Sequence, residues 1–141
     1  MLGRTHLGTG ILTSLLLCNG EAIPFCMVCL GSVLPDIDQG SSMIGKNVPL
    51  IPKLLKHRGL THSLLFCLCC YFLNVWLCVG VAIHILFDMM TRNGVSLFYP
   101  HKGKIRLPLA KYVVTNGKFE RIVFYAVYLC IVALLCKQYG I

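Results

Sequence analysis

Four apolar stretches, separated by polar and mostly basic segments, constrain the fold of this chain more than any other feature of its sequence. They cover Leu7–Cys18, Ala22–Leu34, Ser63–Met90 and Ile122–Cys136. Hydrophobic residues make up 57% of the chain and charged residues only 13%, a composition that excludes an ordinary soluble domain. The sequence therefore predicts an all-α, polytopic membrane protein that forms a single domain over residues 1–141.

The first two apolar stretches are too short to cross a bilayer as separate helices. A hydrocarbon core of ~30 Å requires about 20 apolar residues, and neither Leu7–Cys18 nor Ala22–Leu34 reaches that length. Asn19-Gly20, which lies between them, is a typical turn signal. We therefore expect the two stretches to form a helical hairpin.

The chain has a formal charge of +8, and most of the basic residues that give this charge lie between the apolar stretches. Gln39–Thr61 and Thr91–Arg121 carry most of the basic residues, and Arg4 lies near the N-terminus. The positive-inside rule places all three in the cytoplasm, where lipid headgroups rather than nucleic acid are the expected partner. The intervening segments must then enter and leave the membrane on one side. This predicts about five short helices: two hairpins and a last helix from about Phe119 to Lys137.

All nine cysteines lie inside apolar stretches, which favours packing as small hydrophobic side chains over disulfides. Cys26 and Cys29 have the spacing of a zinc or redox pair. Their neighbours are apolar and no second pair follows, so packing is favoured there too.

Imidazole and carboxylate side chains occur where the apolar stretches meet the predicted cytoplasmic segments. Burying such groups in a membrane costs free energy, so they are rare there. Those that do occur commonly serve a function. If the stretches fold as hairpins, these ends lie together on one side of the membrane. The predicted metal ligands are His6, Asp36, Asp38, His57, His62, His84 and Asp88.

The spacing of these residues also requires hairpins. His84 and Asp88 are four positions apart, so a helix presents them on one face. On an unbroken helix rising ~1.5 Å per residue, His62 and His84 would be ~33 Å apart, and His6 and Asp36 ~45 Å apart. Each pair can share an ion only if the chain turns back between its members. The third stretch, although long enough to span as one helix, is therefore predicted to contain a turn.

The mixed His/Asp set suits one or two divalent ions, with zinc favoured and manganese or iron as alternatives. Such an ion lowers the pKa of a bound water and so favours hydrolysis. Asp38 or Asp88, whichever is not a ligand, is the predicted general base. Arg58 is predicted to bind a substrate phosphate and to stabilise charge in the transition state. Arg92 is a second predicted phosphate ligand, with an inside-positive anchor as its alternative role, and His101 is expected to lie outside the site.

Taken in order, these motifs resemble the bacterial LexA-regulated, inner-membrane metal-dependent hydrolase family over about residues 3–100. The resemblance implies a metal-dependent hydrolase in the bacterial inner membrane. A fainter similarity to the zinc-dependent phospholipase C and single-strand nuclease group suggests, by analogy, cleavage of a phosphate ester. Gln39 departs from the pattern, because relatives often carry a further histidine there, and this bears on whether two ions are held. The matching segments are His6, Leu34–Asp38, His57–Ser63, His84–Asp88 and Thr91–Pro100.

Three functions remain open from the sequence. The leading one is a hydrolase whose metal site faces the cytoplasm and whose metal-activated water cleaves a phosphate ester of a membrane lipid. The alternative is a non-catalytic, metal-stabilised adaptor that binds a cytoplasmic partner through its basic loops, for which a closed four-ligand site would be expected. A metal-ion transporter would need ligands near the bilayer midplane with access from both faces. The sequence leaves the oligomeric state open.

Overall fold

The computed structural model describes residues 1–140, with the side chain of Leu109 left out. Within these residues it is all-helical, as predicted, and the only β-type pairing is a single bridge between Val95 and Ile105. Five helices have ten residues or more, and the sixth, α3, is one turn in a loop. The helices are α1 (Gly3–Leu17), α2 (Ala22–Val33), α3 (Ile51–Leu54), α4 (Leu64–Leu73), α5 (Val75–Met89) and α6 (Lys118–Tyr139).

The chain reverses direction between α1 and α2, as the turn signal predicted. Asn19 (φ 46°) and Gly20 (φ 82°) both take the left-handed conformation, which glycine adopts at little cost and asparagine more readily than most residues. The Ser14 hydroxyl of α1 lies 3.3 Å from the Phe25 carbonyl oxygen of α2. The two helices therefore pack antiparallel as the first hairpin.

The third apolar stretch is divided at Asn74, which confirms the predicted turn. The backbone of Asn74 is extended and ends α4. Its side-chain oxygen accepts hydrogen bonds from the backbone N–H groups of Trp76 (2.9 Å) and Leu77 (3.1 Å), and so caps the start of α5. Across the turn, Cys67 Sγ and Cys78 Sγ are 3.5 Å apart. The helices α4 and α5 thus form the second hairpin.

The two hairpins meet where α2 packs against α5 through a pair of glycines. A Cβ atom on Gly80 would lie 2.2 Å from the Val28 carbonyl oxygen, and one on Gly31 would lie 2.3 Å from the Leu77 carbonyl oxygen. Only glycine fits at either position. Small residues allow apolar helices to approach closely, and here they bring the two backbones into contact.

The last helix, α6, is the one helix within the described residues that is long and apolar enough to cross a bilayer, with a mean hydropathy of 2.0 over its most apolar window. It extends slightly past the predicted Phe119–Lys137 at both ends. At ~1.5 Å per residue, the four hairpin helices measure about 15 to 22 Å, less than the ~30 Å of the hydrocarbon core. A multi-pass topology therefore stays a prediction.

Candidate metal centre

Five of the seven predicted ligands meet at one end of the molecule, where α1 begins and where α2 and α5 end. Two come from short 3₁₀ turns: one follows α2, and the other precedes α4. Two lie one turn apart on α5, and the fifth lies near the start of α1. All five are buried, with at most 4% of their surface exposed. We call His6, Asp36, His62, His84 and Asp88 the metal cluster.

The candidate ligand atoms of the metal cluster are close enough to share an ion. His62 Nε2 lies 3.1 Å from His84 Nε2. Asp36 Oδ1 lies 3.9 Å from the first of these nitrogens and 3.7 Å from the second. Asp88 approaches from the other side, with Oδ1 3.3 Å from His6 Nε2 and Oδ2 3.6 Å from His62 Nε2. Two overlapping sets, His6/Asp36/His84 and His62/His84/Asp88, each have ligand atoms within 4.8 Å of one another.

The ring nitrogens of His6 are buried in the metal cluster, and neither makes a hydrogen bond within residues 1–140. Leaving a buried polar group unpaired costs about 1–3 kcal/mol. His84 Nδ1, in contrast, lies 2.7 Å from the Ser32 carbonyl oxygen, which leaves its Nε2 directed at the cluster, as in many metal-binding histidines. The residues present therefore fit a divalent ion such as zinc.

Asp38 uses its carboxylate oxygens on residues around the metal cluster. Oδ1 lies 2.6 Å from His57 Nδ1. Oδ2 accepts hydrogen bonds from the Arg58 backbone N–H (3.0 Å) and the Thr61 hydroxyl, and lies 3.3 Å from His62 Nδ1. Both oxygens are thus engaged, and the carboxylate lies behind the His62 ring.

His57 lies at the edge of the site, with 37% of its side chain exposed. It forms a third set with Asp36 and His62, whose ligand atoms also lie within 4.8 Å of one another. Because one ring nitrogen of His57 already faces Asp38, only the other remains for an ion. The sequence predicts one or two ions, and a second ion would use this third set.

The Arg58 backbone takes a left-handed conformation (φ 62°), which is uncommon for a residue other than glycine. The surrounding loops hold it there. Its N–H donates to Asp38, and its carbonyl oxygen accepts from the Ser96 N–H (3.2 Å) and the Lys104 ammonium (3.1 Å). Three hydrogen bonds thus fix the direction in which the side chain leaves the chain.

The Arg58 guanidinium group, which the sequence predicts to bind a phosphate, lies beside the metal cluster. It is buried, with Nη2 2.8 Å from Asp88 Oδ2 and Nη1 donating to the Thr91 hydroxyl at 2.9 Å. Its Nε finds no partner within the described residues. One donor of a buried cation is therefore left for a further acceptor.

Three residues of the site, Asp36, Asp38 and His62, have shifted pKa values. Burial raises the pKa of Asp36, because water no longer stabilises its charge. Burial acts on Asp38 in the same direction, but hydrogen bonds from His57 and His62 outweigh it and hold the pKa of Asp38 well below its usual value. Burial would lower the pKa of His62, yet hydrogen bonds to Asp38 and Asp88 raise it. Asp38 is therefore ionised at neutral pH and attracts positive charge.

Glu120, which the sequence did not single out, is buried in the first turn of α6. One oxygen accepts from the Leu2 N–H and from the Thr5 hydroxyl (3.1 Å), and the other accepts from the Asn116 N–H. These bonds join α6 to the first turn of α1, immediately before His6. Glu120 thus fixes the part of α1 that contributes to the metal cluster.

A cavity of about 460 Å³ opens beside the metal cluster and reaches it at Asp36. It lies between the start of α1 and the loop residues 39–43 and 115–116. Gln39 lines this cavity, and so does Met1, whose amino group contacts Asp88 Oδ1. The cavity gives a ligand of moderate size access to one side of the cluster.

The sequence matches the model of the YdjM inner membrane protein family over residues 1–140. The chain belongs to the YdjM inner membrane protein family. The uncharacterized protein YvsG of Bacillus subtilis is 33% identical over 145 aligned positions, which cover 87% of each chain. Inner membrane protein YdjM of Escherichia coli and that of Shigella flexneri are each 36% identical over 99 positions, or 57% of this chain and 50% of theirs. No solved structure matches the chain significantly.

Membership of the YdjM family confirms the predicted location in the bacterial inner membrane. The names of the relatives mention neither a metal nor a reaction. The alignment with the E. coli protein spans half of that protein, so the activity of the whole relative does not transfer to this chain. Hydrolysis, zinc and the cytoplasmic position of the site stay predictions.

Some residues weighed in the sequence lie outside the metal cluster in this YdjM-family protein. Arg92 is exposed and lines a different cavity, to which no cluster residue contributes. His101 is exposed, and the structure gives it no contact with the cluster. Cys26 is exposed, whereas Cys29 Sγ lies 3.7 Å from the Ser14 hydroxyl. Within the described residues, all nine cysteines are free thiols.

Proposed function

We propose that the protein is a metal-dependent hydrolase that cleaves a phosphate ester of a lipid at the cytoplasmic face of the inner membrane. The observation that carries this proposal is the metal cluster itself. Three imidazoles and two carboxylates converge in a buried site, and neither ring nitrogen of His6 makes a hydrogen bond within the described residues. Zinc fits this ligand set best, and manganese or iron would also fit.

Four residues of the metal cluster, His6, Asp36, His62 and His84, would hold the ion or ions, which leaves Asp88 as the general base. A bound metal would act as a Lewis acid and would generate hydroxide from water near neutral pH. Of the two predicted general bases, Asp38 already uses both oxygens on residues behind His62, whereas Asp88 faces the cluster, with Oδ2 3.6 Å from His62 Nε2 and paired with the Arg58 guanidinium. In this proposal Asp38 orients His62, and Asp88 Oδ2 takes the proton of the attacking water.

Arg58 would bind the substrate phosphate. Its buried guanidinium lies next to Asp88 and keeps Nε unpaired. A charge-assisted hydrogen bond from this group to a phosphate oxygen would strengthen as negative charge develops in the transition state. The cavity at Asp36 supplies the approach for the reacting group.

Metal content tests the first half of the proposal. We expect the detergent-purified protein to contain zinc or manganese in near-stoichiometric amount, and the His62→Ala/His84→Ala protein to have lost it, in elemental analysis. His101→Ala is the matched control, because it removes an exposed imidazole outside the cluster. Absence of metal from the wild-type protein, even after reconstitution with zinc and manganese, would disprove the metal site.

Turnover tests the second half. Vesicles containing phosphatidic acid and phosphatidylglycerol serve as substrates, and release of inorganic phosphate or of diacylglycerol is measured. We expect Asp88→Asn to lower the rate by about 10²–10⁴-fold, the usual contribution of a general base, while His101→Ala keeps the wild-type rate. A metal-loaded protein that turns over neither lipid would contradict this substrate class and favour the metal-stabilised adaptor.

A further inference from the structure

A second cavity, of about 310 Å³, lies within the loop that connects α5 to α6. No residue of the metal cluster lines it, and its three charged residues are all cationic and exposed. We call it the basic cavity. Its lining residues are Arg92, Arg106, Leu107, Pro108, Ala110 and Lys111.

Backbone hydrogen bonds bring these distant positions together. The Arg92 N–H donates to the Val113 carbonyl oxygen, and the Leu107 N–H donates to the Met89 carbonyl oxygen, both at 2.9 Å. The first bond joins the two ends of the loop, and the second fixes its middle to the end of α5. The backbone of the loop therefore brings the three cationic residues together.

The charge of the basic cavity is not balanced by protein carboxylates. Residues 91–119 contain six lysines and arginines and neither Asp nor Glu. Within the described residues, the only Lys or Arg side chain in an ion pair is that of Arg58. Three like charges around one cavity repel one another, and a bound anion would offset that repulsion. The cavity thus has the properties of an anion site.

Its position in the fold indicates the source of the anion. Tyr112, which follows Lys111 of the cavity, has its ring 6.1 Å from that of Phe119 in the first turn of α6, the apolar helix long enough to span a bilayer. Tyr112 and Phe119 are each 52% exposed there, and exposed aromatic side chains next to a span are typical of the headgroup level. Leu107 and Pro108 add an apolar wall to the cationic one. A phosphate group attached to acyl chains matches this combination.

We propose that the basic cavity binds the phosphate headgroup of an anionic phospholipid that anchors the loop to the cytoplasmic leaflet. This lipid is separate from any lipid that reaches the metal cluster, because the two sites share no lining residue. The proposal does not depend on hydrolysis. A protein that binds no metal could still bind this lipid.

Native mass spectrometry of the full chain released from detergent micelles tests the proposal, with phosphatidylglycerol or phosphatidylcholine of identical acyl chains added. The cavity variant is Arg92→Gln/Arg106→Gln/Lys111→Gln. The matched control, Lys46→Gln/Lys53→Gln/Lys102→Gln, removes the same charge from exposed positions outside the cavity. We expect the wild-type and control proteins to retain phosphatidylglycerol preferentially. The cavity variant should bind it about tenfold or more weakly, since each basic side chain near a headgroup contributes appreciably.

Equal losses in the cavity and control variants would overturn the proposal, because they would show that only net charge matters. Equal retention of the two lipids would overturn it as well. Displacement of phosphatidylglycerol by millimolar glycerol phosphate or inorganic phosphate would show a site for soluble anions instead. If the cavity variant does not fold, Arg106→Gln and Arg106→Lys replace it, with weaker retention expected only for the glutamine variant.

Discussion

The His62 ring lies between the metal cluster, which one ring nitrogen faces, and Asp38, which the other faces. Its Nε2 faces His84 and Asp36, while its Nδ1 faces Asp38 at 3.3 Å. A carboxylate behind a metal-binding imidazole fixes the tautomer and the ring orientation and makes the nitrogen a better ligand. The sequence placed Asp38 among the ligands, because residue type and spacing alone do not distinguish a ligand from the group that orients it.

Asp38→Asn separates these two roles. If Asp38 orients His62, the variant should bind metal about 10–100-fold more weakly, the usual effect of losing such a partner, yet reach the same stoichiometry at saturation. Competition with a chromophoric chelator measures both quantities. Glu21→Gln, which alters an exposed carboxylate at the tip of the first hairpin, is the control. A reduced saturating stoichiometry in Asp38→Asn would instead make Asp38 a ligand.

Glu120→Gln tests the carboxylate that holds the start of α1. A glutamine side chain keeps the size but has only one acceptor oxygen, so the bonds from Leu2, Thr5 and Asn116 cannot all persist. We expect a loss of about 1–3 kcal/mol in the free energy of unfolding and weaker metal binding through His6. Thermal unfolding in detergent and chelator competition measure the two effects. An unfolding midpoint equal to that of Glu21→Gln would refute the assignment.

Among the helices, the sequence predicted the first hairpin better than the second. Asn19-Gly20 is a recognisable turn between two apolar stretches. Asn74 lies inside a continuous apolar stretch, so the turn there was predicted only indirectly, from the basic segments on either side and from the need to bring His62 and His84 together. The glycine contact between α2 and α5 could not be predicted from the sequence, because a single glycine in an apolar helix does not show which other helix will pack against it.

Gly80→Ala tests that contact. The added methyl group would meet the Val28 carbonyl oxygen and the Gly31 backbone, so the two helices would have to separate. Overpacking of this kind costs about 1–3 kcal/mol, and His84, one turn further along α5, would move with its helix. We expect a lower unfolding midpoint and weaker metal binding in parallel.

Gly3→Ala is the matched control for Gly80→Ala. The nearest atom to its added Cβ is 3.4 Å away, in the flexible Met43 side chain, so little change is expected in either measurement. If Gly80→Ala behaved like Gly3→Ala, the close contact between α2 and α5 would not be a determinant of the fold.

For the whole molecule, the start of α6 lies at the end that holds the metal cluster, because Glu120 contacts Leu2 and Thr5 there. A helix of 22 residues measures about 33 Å, enough to carry Tyr139 to the opposite face. The sequence predicts that the basic segments lie on one side of the membrane. It could not show whether the hairpin helices, at about 15 to 22 Å, cross the bilayer or turn back within it.

Reporter fusions test this orientation. If the basic segments and the cluster face the cytoplasm, alkaline phosphatase fused after Gly140 should be active and green fluorescent protein fused there should be dark. The same reporters at the N-terminus, before Met1, should give the opposite pattern. Fluorescence from the C-terminal fusion in the membrane fraction would show that α6 does not cross.

The metal cluster draws on segments that lie about 20 to 30 residues apart along the chain, at His6, Asp36, His62 and His84. An ion bound by all of them would close three successive loops at a single point. Nine free thiols lie within the described residues, yet the strongest cross-link in the molecule would then be a coordination bond. Unlike a disulfide, such a cross-link would form without an oxidant, and a chelator would reverse it.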